Sequence, residues 1–188
     1  MEKKFGKDKK FYRARNSPKN EKYRVDQMGK PSNELAINGR ANPIGISYLY
    51  TASDISTAIS EIKPSLQDKI SVAEILIVDS LRLIDLRYVS PFSFADDEDF
   101  DVLIQDINFL IKLSQDLSKP INPKDAVLEY LPTQYLCELI KASGWDGVAY
   151  KSSFAEGFNI AIFLEEKISI NRVDSYVVEK INLEYKRI

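Results

Sequence analysis

Four short segments of the chain combine turn residues with side chains that can bind ligands or take part in catalysis. Arg40 lies in a loop rich in Gly and Pro, where its guanidinium can form a forked contact with a phosphate or carboxylate. Tyr50 can stack on a planar ring, and Glu61 can bind hydroxyl groups or stabilise a developing positive charge. The segments are residues 38–43, residues 48–50, Glu61, and the stretch from Trp145 through Ser152 and Ser153 to Asn159.

Each of these residues also has an ordinary structural explanation. Taken alone, Arg40 is typical of a surface ion pair, Tyr50 of a core aromatic and Glu61 of a solvated helix face. Ser152 and Ser153 are typical of a turn. The functional interpretation rests on order and spacing, because Arg40, Tyr50 and Glu61 follow one another at intervals of 10 and 11 residues.

The composition excludes several classes of catalytic site. The 188 residues contain no histidine, which rules out Ser-His-Asp and Cys-His systems, HExxH zinc sites and a histidine general base. Cys137 is the single cysteine, so neither an internal disulfide nor a Cys-type zinc site can form within the chain. An enzyme of this composition works with carboxylates, hydroxyls, arginines, lysines and backbone groups, and we expect no metal and no bound cofactor.

Length and hydrophobicity predict one ordinary globular domain. The chain is 44% hydrophobic, and a domain of this size buries about 70% of the surface that its unfolded chain exposes. No apolar run approaches the roughly 18 residues that span a bilayer, and the N-terminus lacks the apolar stretch of a signal peptide. We therefore expect a cytoplasmic protein that makes no membrane contact.

Charge is distributed unevenly along the chain. Residues 1–24 hold 10 Lys and Arg against 3 Asp and Glu, a net charge of +7, while the remaining residues carry −9. A basic head can contact nucleic acid or another polyanion. Because no known nucleic-acid motif accompanies these basic residues, a solvated, partly disordered arm over residues 1–9 is favoured, followed by one domain over residues 10–188.

Hydrophobic patterning predicts the elements that position these residues. Phe100 to Leu117 follows the 3.6-residue period of a helix. A helix from Ile55 to Ile62, capped by Ser53 or Asp54, carries Glu61 near its end. Another helix covers residues 133–143, and residues 16–42 are mostly loop. Strands are predicted over residues 10–15, 45–51, 71–79, 81–86, 147–150, 159–164, 168–178 and 182–185.

The order of these elements indicates the fold class. Strands occur at both ends of the chain, and the helices are grouped between them. A doubly wound parallel sheet needs regular alternation of strand and helix, which this order lacks. The prediction is therefore an α+β fold.

The same segments resemble the RES-domain family. In GRANPIGISYLYTASDISTAISEIKP, a Gly–Arg–x–Asn turn is followed by a glycine, a strand-closing tyrosine and a glutamate on the next helix, as in that family. The segment EYLPTQYLCELIKASGWDGVAYKSSFAEGFNIAIF matches the later pattern: a helix, an Asp-Gly turn, a strand ending in serine, and an asparagine before an apolar strand. Residues 12–15 are similar to the family's opening arginine strand, so the resemblance covers roughly residues 10–165.

The resemblance implies a single domain related to ADP-ribosyltransferases, with mixed sheets and helices packed alongside. It also implies the toxin half of an Xre–RES toxin–antitoxin module, which degrades NAD at the nicotinamide–ribose bond by phosphorolysis or hydrolysis. One departure is Ala41, where many relatives carry a bulky aromatic. By motif position, the catalytic set is Arg40, Tyr50, Glu61 and Ser152, and the NAD contacts are Arg13, Arg40, Tyr50, Ser152, Ser153 and Asn159.

The implied chemistry needs no histidine, because nicotinamide leaves the pyridinium of NAD as a neutral molecule. Glu61 would stabilise the oxocarbenium-like ribose, and Arg40 would clamp the pyrophosphate. Tyr50 would stack on nicotinamide, and Ser152 would bind nicotinamide or an incoming phosphate. NAD is then the substrate, and inorganic phosphate is the co-substrate if the reaction is a phosphorolysis.

Two other interpretations stay open on the sequence. The same site can transfer ADP-ribose to a protein target, or the chain can be an inert RES-like binding module whose basic head contacts a polyanion. The resemblance implies one further partner, a cognate antitoxin of Xre or another type. On this interpretation the chain would contact nucleic acid only through that antitoxin. A homodimer also stays open.

Overall fold

The computed structural model of the chain describes residues 2–18, 21–89, 100–120, 126–182 and 187. The described residues form eight strands: β1 Glu2–Phe5, β2 Lys10–Asn16, β3 Leu49–Ala52, β4 Lys69–Ile77, β5 Leu81–Asp85, β6 Gly147–Lys151, β7 Phe158–Ile162 and β8 Ile168–Val177. They join in one mixed sheet in the order β1-β5-β6-β7-β3-β2-β4-β8. Only β5 and β6 run parallel, and the other neighbours are antiparallel.

Four α-helices accompany the sheet in the described part of the chain. They are α1 Ile55–Glu61, α2 Phe100–Ser118, α3 Ala126–Glu129 and α4 Leu131–Ala142. Helix α1 packs on β2, and both α2 and α4 pack on β6. Gly144, at φ +82°, ends α4 in the left-handed conformation that glycine adopts without a steric penalty. None of the described helices is long and apolar enough to cross a bilayer.

The core lies on both faces of the sheet. Side chains of β2 point alternately to the two faces of the sheet, and both faces are covered. Phe11 packs on one face with Phe5, and Ala14 packs on the other beneath α1. Under α2 and α4, Leu117 and Cys137 pack on Tyr150 of β6 and its neighbours. Buried apolar side chains therefore hold α1, α2 and α4 on the sheet.

The sheet is weakly joined at one position, between β2 and β3. Strand β2 pairs with β4 over seven residues, and β3 pairs with β7 over four. Between β2 and β3 the ladder holds the single pair Tyr12 and Ala52. The two halves of the sheet diverge beyond that pair, and the space between them is where a ligand can enter.

The predicted α+β class is confirmed, and most predicted elements are present with shifted ends. Within the arm predicted over residues 1–9, Glu2–Phe5 pairs with β5 and buries Phe5 against Phe11 at a ring-centroid distance of 5.2 Å. The strand predicted from residue 45 begins only at Leu49, because Gly45, at φ +83°, donates to the Ala36 carbonyl in a turn. Of the strand predicted over residues 182–185, residues 183–185 lie outside the described residues.

Candidate active site

A cavity of about 290 Å³ lies where β2 and β3 diverge. It is bounded by these two strands, by the end of α1, and by the turn that contains Arg40. Five of the residues singled out from the sequence line it: Arg13, Arg40, Tyr50, Glu61 and Asn159. The structure therefore brings together side chains that lie as far apart in the chain as residues 13 and 159.

Glu61 is the last residue of α1 and is held by two donors on one carboxylate oxygen. The Ser152 hydroxyl and the Asn159 side-chain amide each donate to Glu61 Oε1, at 2.6 Å. Two donors on the same oxygen fix the direction of the carboxylate. The other oxygen, Oε2, has no hydrogen-bond partner among the described residues and can contact a ligand.

The helix that carries Glu61 is fixed at its other end. Asp54 caps α1 by accepting from the Thr57 backbone N–H at 2.8 Å. Ser53 bonds the backbone of Phe158 in both directions, through its own N–H and its hydroxyl. The hairpin between β6 and β7, from which Ser152 and Asn159 reach Glu61, is therefore docked on the start of the same helix.

The turn that carries Arg40 is held from the side of β3 by Tyr50. The Tyr50 hydroxyl donates to Asn42 Oδ1 at 2.6 Å and accepts from the Ala41 N–H at 3.0 Å. Burial raises the pKa of Tyr50 above its ordinary value, so the hydroxyl keeps the proton it donates. Asn42 is itself buried and donates to the carbonyls of Ile37, Pro43 and Ile46. Tyr50 therefore shapes the turn in addition to lining the cavity.

Only glycine fits at the start of this turn. A Cβ on Gly39 would lie 2.3 Å from Asn42 Oδ1 and 2.6 Å from the Tyr50 hydroxyl. The Gly39 N–H also donates to the Asn42 carbonyl at 2.9 Å. The Gly–Arg–x–Asn pattern thus has a physical cause, since Gly39 gives room and Asn42 closes the turn.

Arg40 extends from the turn to the C-terminal end of α2. Its Nη1 donates to the carbonyls of Leu117 and Lys119, at 2.7 and 2.8 Å. A positive charge is favourable there, because the last carbonyls of a helix carry partial negative charge. Ser153 binds the same end of α2, through its hydroxyl and the Ser118 carbonyl. Of the two serines, Ser152 contacts Glu61 and Ser153 contacts α2.

Arg13 contributes a second guanidinium to the cavity. Its Nη1 donates to the Tyr50 carbonyl at 3.2 Å, across the gap between β2 and β3. Its buried Nε has no hydrogen-bond partner among the described residues. Burial, and then the neighbouring Arg15, lower the pKa of Arg13 to about 10, so the group stays charged at neutral pH.

The cavity carries a net positive charge. Its charged lining residues are Arg13, Arg40 and Glu61, which together give +1. Within the described residues no carboxylate lies within 4.0 Å of either guanidinium. Two guanidiniums without a carboxylate partner are suited to bind a phosphate or pyrophosphate.

Comparison with known proteins places the chain in a family. The family model described as "RES domain" matches residues 10–180. The chain belongs to the RES-domain family. Its fold is similar to a chain in the crystal structure of the M. tuberculosis MbcT–MbcA toxin–antitoxin complex, with a TM-score of 0.55 at 11% identity, covering 92% of this chain and 86% of that chain. No curated protein matches the chain.

Sequence reasoning missed several residues of this RES domain's cavity. Three further tyrosines line it: Tyr12, Tyr130 and Tyr150. Thr133 and Gln134, at the start of α4, bind the turn that carries Arg40. The signal for these two was present, because both are polar residues on the buried face of an amphipathic helix. Their partners lie more than 90 residues away, so the pattern alone did not reveal what they bind.

Proposed function

We propose that this RES domain cleaves the nicotinamide–ribose bond of NAD and acts as the toxin of a toxin–antitoxin pair. The observation that carries the proposal is a carboxylate fixed by two donors in a cavity that also holds two guanidiniums, neither of which has a carboxylate partner among the described residues. Membership of the RES family supports it. The fold shared with a chain of the MbcT–MbcA toxin–antitoxin complex supports the toxin role.

The proposed reaction breaks the bond between the ribose anomeric carbon and the ring nitrogen of nicotinamide. The electron pair of that bond goes to the nitrogen, so the pyridinium leaves as neutral nicotinamide and no acid is required. The ribose becomes oxocarbenium-like, and a fixed Glu61 carboxylate stabilises this charge. A phosphate oxygen then bonds the anomeric carbon and gives a sugar phosphate, or a water does so and releases a proton to solvent.

The other cavity residues have roles that follow from their chemistry. Arg13 and Arg40 bind the pyrophosphate and hold the dinucleotide in place, which contributes by positioning as much as by charge. The tyrosine rings of the lining offer faces for the nicotinamide or adenine ring to stack on. Ser152 and Asn159 act on Glu61, whose carboxylate they orient.

The first prediction concerns the Glu61 carboxylate. Purified protein is expected to release nicotinamide from NAD, and chromatography measures this release. A chelator should leave the rate of release unchanged. Glu61→Gln keeps the size and one hydrogen-bonding oxygen but removes the charge, so kcat should fall roughly 10²–10³-fold while KM changes little. Glu166→Gln is the matched control, because Glu166 is exposed and lies outside the cavity.

Three outcomes of this assay decide between functions. Mass spectrometry of the products, with and without phosphate, separates phosphorolysis from hydrolysis. Label from NAD that appears on a protein identifies an ADP-ribosyltransferase. If folded wild-type protein at high concentration releases no nicotinamide in any condition, or if Glu61→Gln turns over at the wild-type rate, the proposed mechanism is wrong.

A further inference from the structure

The first turn of α4 holds the turn that carries Arg40. Gln134 Nε2 donates to Asn38 Oδ1 and to the Gly39 carbonyl, each at 2.7 Å. The Thr133 hydroxyl donates to the Arg40 carbonyl. Gln134 is 3% exposed and Thr133 1% exposed, so water does not compete for these hydrogen bonds.

These contacts fix the backbone on both sides of the Arg40 Cα atom. The Gly39 carbonyl belongs to the peptide group before that atom, and the Arg40 carbonyl belongs to the one after it. With both peptide planes held, the two backbone dihedrals of Arg40 are set, and with them the direction of its side chain. Tyr50 holds the other side of the turn through Ala41 and Asn42, so the turn is clamped between β3 and α4.

We infer that Thr133 and Gln134 are positioning residues, which act on the ligand through Arg40. Packing alone does not require polar side chains here, since the neighbouring Leu136 and Cys137 on the same helix are buried and apolar. A buried amide or hydroxyl costs free energy unless it is bonded, and the partners of these two are atoms of residues 38–40 and, for Thr133, also the Tyr130 carbonyl. The inference rests on the proposed function for its kinetic readout but not for its binding readout.

The test uses near-isosteric variants that remove the donors. Gln134→Met and Thr133→Val should raise KM for NAD about tenfold, the loss of roughly one hydrogen bond, while kcat changes by less than about threefold. Thr133→Ser keeps the hydroxyl and should restore the wild-type KM. Gln115→Met, at an exposed position of α2, is the control.

A double-mutant cycle separates positioning from general stability. If Gln134 acts through Arg40, then Gln134→Met should weaken ligand binding in the wild type but have no further effect in an Arg40→Ala background. Equal effects in the two backgrounds would overturn the inference. Thermal unfolding of each variant identifies those that fail to fold. If Gln134→Met is one of them, Gln134→Leu, which also lacks the donor and carries no charge, takes its place, and if Thr133→Val is one, Thr133→Ala does.

The binding of ADP-ribose, measured by calorimetry, tests the positioning role of Thr133 and Gln134 separately from catalysis. Wild-type protein that binds ADP-ribose but releases no nicotinamide contradicts the proposed function, and the cycle is then measured on the dissociation constant. An unchanged dissociation constant in Gln134→Met and Thr133→Val overturns the positioning role. A wild type that neither binds ADP-ribose nor releases nicotinamide overturns both, and one that releases nicotinamide without binding ADP-ribose is tested on KM.

Discussion

At the scale of the residue, the candidate site depends on side chains whose contacts can each be stated. Glu61 owes its orientation to Ser152 and Asn159, and Arg40 owes its backbone conformation to contacts from β3 and α4. In each case the charged residue lines the cavity, and uncharged polar residues position it through hydrogen bonds. The chemistry of the site is therefore set as much by neutral hydrogen-bond donors as by the charges.

Gly39 gives the sharpest prediction at this scale. Gly39→Ala puts a methyl group within 2.6 Å of both Asn42 Oδ1 and the Tyr50 hydroxyl oxygen. These two oxygens are already joined by a hydrogen bond, so neither can move away without weakening it. The turn must open, at a cost of about 1–3 kcal/mol in the free energy of unfolding, and ADP-ribose affinity should fall with it. Gly6→Ala is the control, because a Cβ there meets no atom within 4 Å. Equal urea midpoints and equal affinities for the two variants would contradict this account of the turn.

The sequence singled out some of the residues that meet at this cavity but not all of the neutral ones that position them. Arg40, Tyr50 and Glu61 lie at recognisable intervals on one loop–strand–helix unit, and all three line the cavity. Thr133 and Gln134 were not predicted, because no local pattern tells which distant backbone atom a buried polar side chain will bind. The roles of Ser152 and Ser153 separated only in three dimensions, where adjacent residues contact α1 and α2.

At the scale of the element, α1 is the part of the site that a local sequence signal predicts best. Ser53 or Asp54 was expected as its cap, and the structure shows that Asp54 fills the role while Ser53 binds the β6–β7 hairpin. By contrast, β1 was missed, because an edge strand with three consecutive charged residues resembles a disordered basic segment. Its pairing partner β5 lies some 80 residues away, outside any local window.

The cap of α1 predicts a pH-dependent stability. Burial raises the pKa of Asp54, but hydrogen bonds from the Thr57 backbone and from the Ser53 and Thr57 hydroxyls lower it by more, so the net pKa lies below its ordinary value. Since the folded-state pKa is lower than the unfolded one, the charged cap stabilises the fold above about pH 4 and loses this effect as the pH falls through the folded-state pKa. Asp54→Ala should lower the free energy of unfolding by about 1 kcal/mol at pH 7.

The pH series distinguishes this account from a simple loss of packing. The difference between wild type and Asp54→Ala, measured by urea unfolding, should shrink as the pH falls below about 4 toward the lowered folded-state pKa of Asp54, at which the carboxyl takes up a proton. Asp54→Asn should keep most of the stability, because asparagine caps helices about as well as aspartate. A difference that stays constant from pH 7 to pH 3 would show that the charge of Asp54 has no part in capping.

At the scale of the whole molecule, the cavity exists because of the topology of the sheet. The order β7-β3-β2-β4 places β2, near the start of the chain, beside β3 but joins the two through one residue pair. The opening thus collects Arg13 from β2, Glu61 from α1, and Asn159 from β7. Hydrophobic patterning predicts which segments are strands, but it does not predict their order, and so the cavity was not predictable without the family resemblance.

The charge of this cavity leads to the last prediction, which concerns the living cell. An enzyme with the proposed activity must be restrained in the cell. Neither Arg13 nor Arg40 of this cavity has a carboxylate partner among the described residues, so the cavity suits an inhibitory protein that inserts a carboxylate, from a side chain or a chain terminus, in place of pyrophosphate. Expression of the wild type alone should arrest bacterial growth with a fall in NAD. Co-expression with a cognate antitoxin should relieve the arrest.

The variants make this prediction specific to the site. Glu61→Gln and Arg40→Ala should be harmless at equal protein levels, because in the proposed mechanism the first removes the charge that stabilises the ribose cation and the second removes a pyrophosphate contact. Arg40→Ala should also bind the antitoxin more weakly in a pull-down if the inhibitor occupies the cavity, whereas Glu61→Gln should bind it at least as well, since removing a negative charge favours an incoming carboxylate. Growth arrest by either variant equal to that of the wild type would place the cause of toxicity outside this cavity.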